Sequence, residues 1–186
     1  MKLSISLTIS LLIVALVVGF SGGYFFTPAY QTTMYESETM GLGPADRYVD
    51  LRYINQMAAH HQGAILLANQ VAGASKRPEI TSLAADIQAN EPTLIAKLLQ
   101  WKKDWYSDTR PIKDPVVAQL GQADDKTDLR FLNALIAHHE AGIAMTKEIR
   151  TKSSRAEILN DADGVETFLT TTLVQLKAWR SSWYGV

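Results

Sequence analysis

The chain has four histidines, and they come as two adjacent pairs: His60-His61 within MAAHHQGAI and His138-His139 within LIAHHEAGI. Neutral imidazole is a ligand for zinc, copper, iron and nickel, and its charge changes near neutral pH. Such doublets could therefore hold a metal ion or respond to protons. The offset of 78 positions from His60 to His138 also carries Asp50-Leu51-Arg52 onto Asp128-Leu129-Arg130 and Arg77 onto Arg155. Without a gap it carries Trp101 onto Trp179 and Trp105-Tyr106 onto Trp183-Tyr184. The chain is a duplicated unit, with repeats at 46–106 and 124–184.

Other donors gather around the doublets. Met57 lies one turn before both rings of the first pair, and Met145 lies two turns beyond His138; a thioether would shift the preference toward Cu(I). If each repeat is a helical hairpin, counting away from the turn near residue 75 sets Ile87, Asn90, Glu91 and Leu94 opposite the first doublet. Glu91 is the carboxylate among them. The same count in the second repeat lands near residue 168, close to Glu166, and Glu140 directly follows its doublet. Neighbouring helical residues point roughly 100° apart, so at most one ring per doublet readily faces a shared centre. One His61/His139 site flanked by His60 and His138, a single four-histidine site and two separate lesser sites all remain open, as does plain packing of the rings in a helix interface.

Several chemistries are excluded. A di-iron carboxylate centre needs Glu three residues before His, whereas Met57, Ala58, Leu135 and Ile136 stand there. No HExxH, phosphate-binding glycine loop or serine with a sequence-placed base occurs, so an enzyme is the weaker reading. With no cysteine, disulfides and thiolate zinc sites are absent. Eighteen Lys and Arg against 19 Asp and Glu, with no basic block, argue against nucleic acid.

The elements that would position the histidines read as helices. Apolar residues at spacings of three and four predict a first helix from Pro44 to about Ala74 and a second from Pro78 to about Tyr106, where Pro92 should kink or break it. After a connection over 107–123, with a short turn around Val116 to Leu120, a third helix starts near Asp124 to Asp128 and runs to about Lys152. A fourth spans about Arg155 to Tyr184. The predicted class is all-α: an antiparallel four-helix bundle of two duplicated hairpins over residues 44–186. Its Trp and Tyr residues at the ends of the second and fourth helices are expected to cap one end of the bundle.

Residues 1–26 carry Lys2 and then an apolar run that just reaches bilayer-spanning length, so they are expected to be a transmembrane anchor, with a cleaved signal peptide as the alternative. Residues 27–43 read as a flexible tether reaching about 50 Å when extended. Either reading exports the helical domain, to the outer side of the inner membrane or into secretion.

The motif Met57-Ala58-Ala59-His60-His61-Gln62-Gly63-Ala64-Ile65-Leu66-Leu67-Ala68 and its copy from Leu135 to Thr146 resemble the bacterial family called domain of unknown function 305, whose pattern is Met-Ile-Pro-His-His-x-x-Ala-Ile-x-Met-Ala. Glu91 to Trp101 is similar to the family's following helix. The resemblance covers about residues 46 to 184 and implies a ferritin-like fold, export or membrane anchoring and, for some members, copper binding and tolerance. Leu67, Leu98 and Leu135 replace family methionines and Leu94 a family glutamate, which weakens a thioether-rich site but not an imidazole one. The expected function is an exported, membrane-anchored metal-binding protein, copper first and zinc second. Its candidate ligands are His60, His61, His138, His139, Met57, Met145, Glu91 and Glu140, its partners are the metal ion and the membrane, and a homo-oligomer is left open. The alternative is a structural or protein-interaction domain whose histidines pack or respond to pH.

Overall fold

The computed structural model describes residues 41–186, and the expected anchor at 1–26 and most of the expected tether lie outside the described residues. Four helices follow in order: α1 (Val49–Val71), α2 (Pro78–Tyr106), α3 (Thr127–Arg150) and α4 (Ala156–Tyr184). There is no strand among the described residues. α1 packs on α2, α3 packs on α4, and the two hairpins meet through α1 and α3.

The repeats begin earlier than the aligned 46 and 124, and the reason is visible in the backbone ahead of each long helix. Arg52 Nε donates to the carbonyl of Leu42 at 2.5 Å and its Nη2 to the carbonyl of Pro44. Arg130 Nε donates to the carbonyl of Leu120 at 2.5 Å and its Nη2 to that of Gln122. Gly43 and Gly121 hold φ of +70° and +72°, a left-handed backbone that glycine adopts without a Cβ penalty. Leu42 is fully buried and Leu120 is 2% exposed. Gly41 to Gly43 therefore belong to the folded unit rather than to the tether in which the sequence reading placed them. Because this arginine-pinned turn takes up 44–48, α1 starts later than the expected Pro44, while its counterpart at 122–126 leads into α3 at Thr127, within the expected start. Asp46 and Asp124 accept from the Tyr48 and Lys126 amides and from Arg52 and Arg130 instead of capping the helices.

α2 stays unbroken through Pro92. The ring removes the bond that the Gln88 carbonyl would receive, but Gln88 and Pro92 face solvent, where water can take the vacated place. The connection 107–126 lies across the bundle without the expected helical turn at Val116 to Leu120. It is fastened by Gln70, whose Nε2 donates to the Ala118 carbonyl at 3.0 Å and whose Oε1 accepts from the Leu120 amide at 2.9 Å.

The apolar core has two parts. One joins the second half of α1 (Leu67, Ala68, Val71) to Ile80 and Ala84 of α2, the first half of α3 (Phe131, Leu132, Leu135) and Leu176 of α4. The other joins the first half of α1 (Val49, Tyr53, Ile54, Met57) to Leu98, Ile149 and Ile158. α1 and α3 thus run antiparallel. The aromatic residues consequently divide between opposite ends: Trp101, Trp105 and Tyr106 pack on the second cluster, Trp179, Trp183 and Tyr184 on the first. The single aromatic end expected from the sequence is corrected by this antiparallel packing. At each end a stacked tryptophan pair meets an arginine of the other repeat, Arg155 at 4.1 Å from Trp105 and Arg77 at 4.3 Å from Trp183. Arg155 also pairs with Asp50, and Arg77 with Asp128.

Candidate metal centre

Between the two apolar clusters sits the histidine layer. α1 contributes His60 and His61 to it, α3 contributes His138 and His139, and all four are buried, at 8%, 6%, 2% and 5% exposure. Within each doublet the rings stand edge to face, at 67° for His60 and His61 and 61° for His138 and His139, as the helical offset requires. Across the α1–α3 interface the residues that meet are His60 and His138, not His61 and His139. Their rings stack with centroids 3.8 Å apart and planes 2° from parallel.

Glycine makes that stack possible. A Cβ on Gly142 would lie 2.6 Å from His60 Nε2 and 2.5 Å from a Leu169 methyl, and one on Gly63 would lie 3.2 Å from His138 Cε1. Pro115 and Val117 of the connection also approach Gly63, so the segment between repeats closes the flank beside His138.

All four rings line one cavity of about 300 Å³ between the hairpins. Its wall is mostly apolar, with Leu83, Ile87 and Leu94 from α2 and Val165, Phe168 and Leu169 from α4. The helical count from the sequence placed Ile87, Glu91 and Leu94 correctly against the first doublet, while Asn90 points out to the surface. His61 Nδ1 and Glu91 Oε2 are hydrogen-bonded. The position equivalent to Glu91 in the second repeat is Leu169, so His139 has no carboxylate opposite it.

The remaining sequence candidates lie elsewhere. Glu140 is half exposed and pairs with Lys177 at 2.7 Å. Glu166 bonds to Arg150 and Thr146. Met57 is fully buried in the second apolar cluster and Met145 packs against it, outside the lining of the cavity.

The sequence reading missed a polar group that reaches the cavity lining through Asp161 and Lys97. Asp161, 9% exposed, accepts from Tyr53 Oη at 3.0 Å and pairs with Lys97 Nζ at 2.7 Å. Its repeat equivalents are Leu83 for Asp161 and Phe131 for Tyr53, so the group breaks the internal symmetry and no alignment of the halves reveals it. Burial, and the carboxylate beside it, raise the Tyr53 pKa far above the ordinary phenol value.

The electrostatics of the layer favour neutral rings at His60, His138 and His139. Burial first, and then neighbouring imidazoles, depress His60 well below its ordinary pKa and His138 to about 3. His139 falls to about 4 through burial, which outweighs the opposing pull of the nearby Leu135 carbonyl; that carbonyl makes no hydrogen bond of normal geometry with the ring. Both nitrogens of His138 and both of His139 are buried without a hydrogen-bond partner. Buried polar atoms in that state are costly, and each neutral imidazole presents one lone-pair nitrogen suited to a metal ion. The donor set fits a borderline or soft transition metal, although among the described residues no three His, Asp or Glu side chains are already grouped in ligand geometry.

Residues 50–119 match the family model described as domain of unknown function (DUF305). This DUF305 segment holds the first doublet, Glu91 and most of the connection, and the internal repeat extends the pattern to the second doublet. Among solved structures, the chain is similar to CopM in the Cu(I)-bound form, with a TM-score of 0.65 and 26% identity, over 73% of this chain and 97% of that one. CopM in the Cu(II)-bound form gives a TM-score of 0.61 and 25% identity over the same shares. CopM in the apo form gives 0.65 and 26%, over 73% of this chain and 98% of that one. No curated protein matches the chain. No helix among the described residues is long and apolar enough to cross a membrane.

Proposed function

We propose that the protein binds copper at the histidine layer and serves in copper handling or tolerance. The observation that carries this reading is the set of four buried imidazole nitrogens of His138 and His139 without hydrogen-bond partners, in one cavity with His60 and His61. The similarity to CopM, which is known in Cu(I)-bound, Cu(II)-bound and silver-bound forms, supports copper over zinc. Met57 and Met145 sit in the second apolar cluster, which favours imidazole as the principal donor. Glu91 reaches the layer through His61. We further place the helical domain outside the cytoplasm, held by the apolar segment 1–26.

The test is titration of the full-length protein with Cu(I) and Cu(II), beside a variant with all four histidines replaced by alanine. Binding in the wild type that falls by at least a hundredfold in the variant is the expected result. Equal affinity in the two proteins would remove the histidine layer as the site. The His60–His138 stack favours a second reading, in which the rings are packing groups of the α1–α3 interface. On that reading the variant loses stability and copper affinity is negligible in both proteins.

A further inference from the structure

The two doublets are equivalent in sequence but not in what faces them. Glu91 on α2 engages His61, and Leu169 on α4 takes the same place in the second repeat. We infer that Glu91 is a positioning residue that makes His61 the oriented ligand of the layer, and that the second half, with Leu169 at that position, supplies in His139 an adaptable ligand. This rests on the histidine layer being the copper site.

An ionised carboxylate has only acceptor sites, so the Nδ1 atom bonded to Glu91 Oε2 carries the ring proton and donates it. The lone pair of His61 is thereby assigned to Nε2, on the far edge of a ring that lines the cavity. The contact also fixes the ring's rotation, since Glu91 is itself only 13% exposed and stands on an unbroken helix. A carboxylate holding the remote nitrogen of a ligand histidine raises the basicity of the donor nitrogen and reduces the ordering that binding must impose. His139 has no such partner: both its nitrogens lack hydrogen bonds, and the position equivalent to Glu91 is the methyl-ended Leu169. No carboxylate fixes its tautomer, and the Leu135 carbonyl, which makes no hydrogen bond of normal geometry with the ring, leaves either nitrogen able to turn to an incoming ion. The ion therefore meets one fixed imidazole, His61, and a more adaptable one, His139, an arrangement that lets the site accept a metal whose preferred geometry changes with oxidation state.

The decisive comparison uses full-length wild type, Glu91→Ala and Glu91→Gln, with silver ion as a diamagnetic probe and Cu(I) in parallel. Long-range nitrogen–proton NMR reads the tautomer of each histidine before metal is added. In the wild type His61 should be protonated at Nδ1. Glu91→Ala should lose that preference and bind silver 10- to 100-fold more weakly. Glu91→Gln, whose amide oxygen still accepts the proton, should keep the tautomer and stay within about threefold of wild type. If Glu91→Ala leaves the tautomer and affinity unchanged, the inference is overturned. It is equally overturned if affinity collapses in both variants while the tautomer persists, because Glu91 would then be binding the ion directly. The four-histidine variant separates these outcomes from failure of the site itself. If that variant binds silver and Cu(I) as tightly as wild type, the copper site lies elsewhere, whatever Glu91 does.

Discussion

At the scale of single residues the histidine layer makes the protein sensitive to acid. His60, His138 and His139 have folded-state pKa values below the ordinary 6.5, His138 at about 3 and His139 at about 4. Below pH 6.5 the unfolded chain takes up protons that the folded chain does not, so stability falls with pH. The loss should begin near pH 6.5 and continue toward pH 4 and below. Thermal melts of the metal-free protein should show Tm dropping over that window, and the four-histidine alanine variant should show a flatter profile. Gly142 gives a second prediction at this scale. Alanine there would thrust a methyl into the His60 ring and the Leu169 methyl, a clash of the overpacking kind that costs about 1–3 kcal/mol, measurable by urea unfolding. The doublets, and Glu91 facing the first of them, were legible because helix periodicity and an antiparallel count fix which residues meet. Tyr53 and Asp161 were not, because Phe131 and Leu83 occupy their places in the other repeat and the pairing is between distant helices.

Elements explain why the repeats dock as they do. Each hairpin sends an arginine to the tryptophan stack and helix-start aspartate of the other: Arg155 to Trp105 and Asp50, Arg77 to Trp183 and Asp128. The sequence showed these residues recurring at matched places, but periodicity within one helix cannot say that the partner belongs to the other repeat. Arg155→Ala should cost about 1–2 kcal/mol, from the lost stacking on Trp105 and the loss of Asp50's ion-pair partner. The arginine is partly exposed, which keeps the value modest. The turns ahead of α1 and α3 carry more. Leu42 is completely buried, so Leu42→Ala should cost about 3 kcal/mol, and Leu120→Ala a similar amount. A domain trimmed to begin at residue 44 would lack Leu42 and the carbonyl that Arg52 Nε holds, and should melt at a lower temperature than one beginning at residue 41. The signal for this was in the sequence, since Leu42-Gly43 and Ala45-Asp46 recur as Leu120-Gly121 and Ala123-Asp124. Composition alone drew the boundary too late, because glycine and proline in a short stretch look alike in a tether and in a pinned turn.

For the whole molecule, duplication sets the functional plan. Two hairpins, each with an unburied face, combine through α1 and α3 into a core of two apolar clusters, and the layer between them is where four imidazoles can be buried together. The all-helical class and the hairpin pairing followed from the pattern of apolar residues. Which rings stack across the interface depended on the register of α1 against α3, and the 78-residue offset between His60 and His138 does not contain that register. The central claim, that copper is bound by the imidazoles of this layer, is tested most directly by X-ray absorption at the copper edge of the loaded full-length protein. The account predicts nitrogen neighbours with the outer-shell scattering of imidazole rings, lost in the four-histidine variant. Copper surrounded by sulfur, or a spectrum unchanged in that variant, would contradict it.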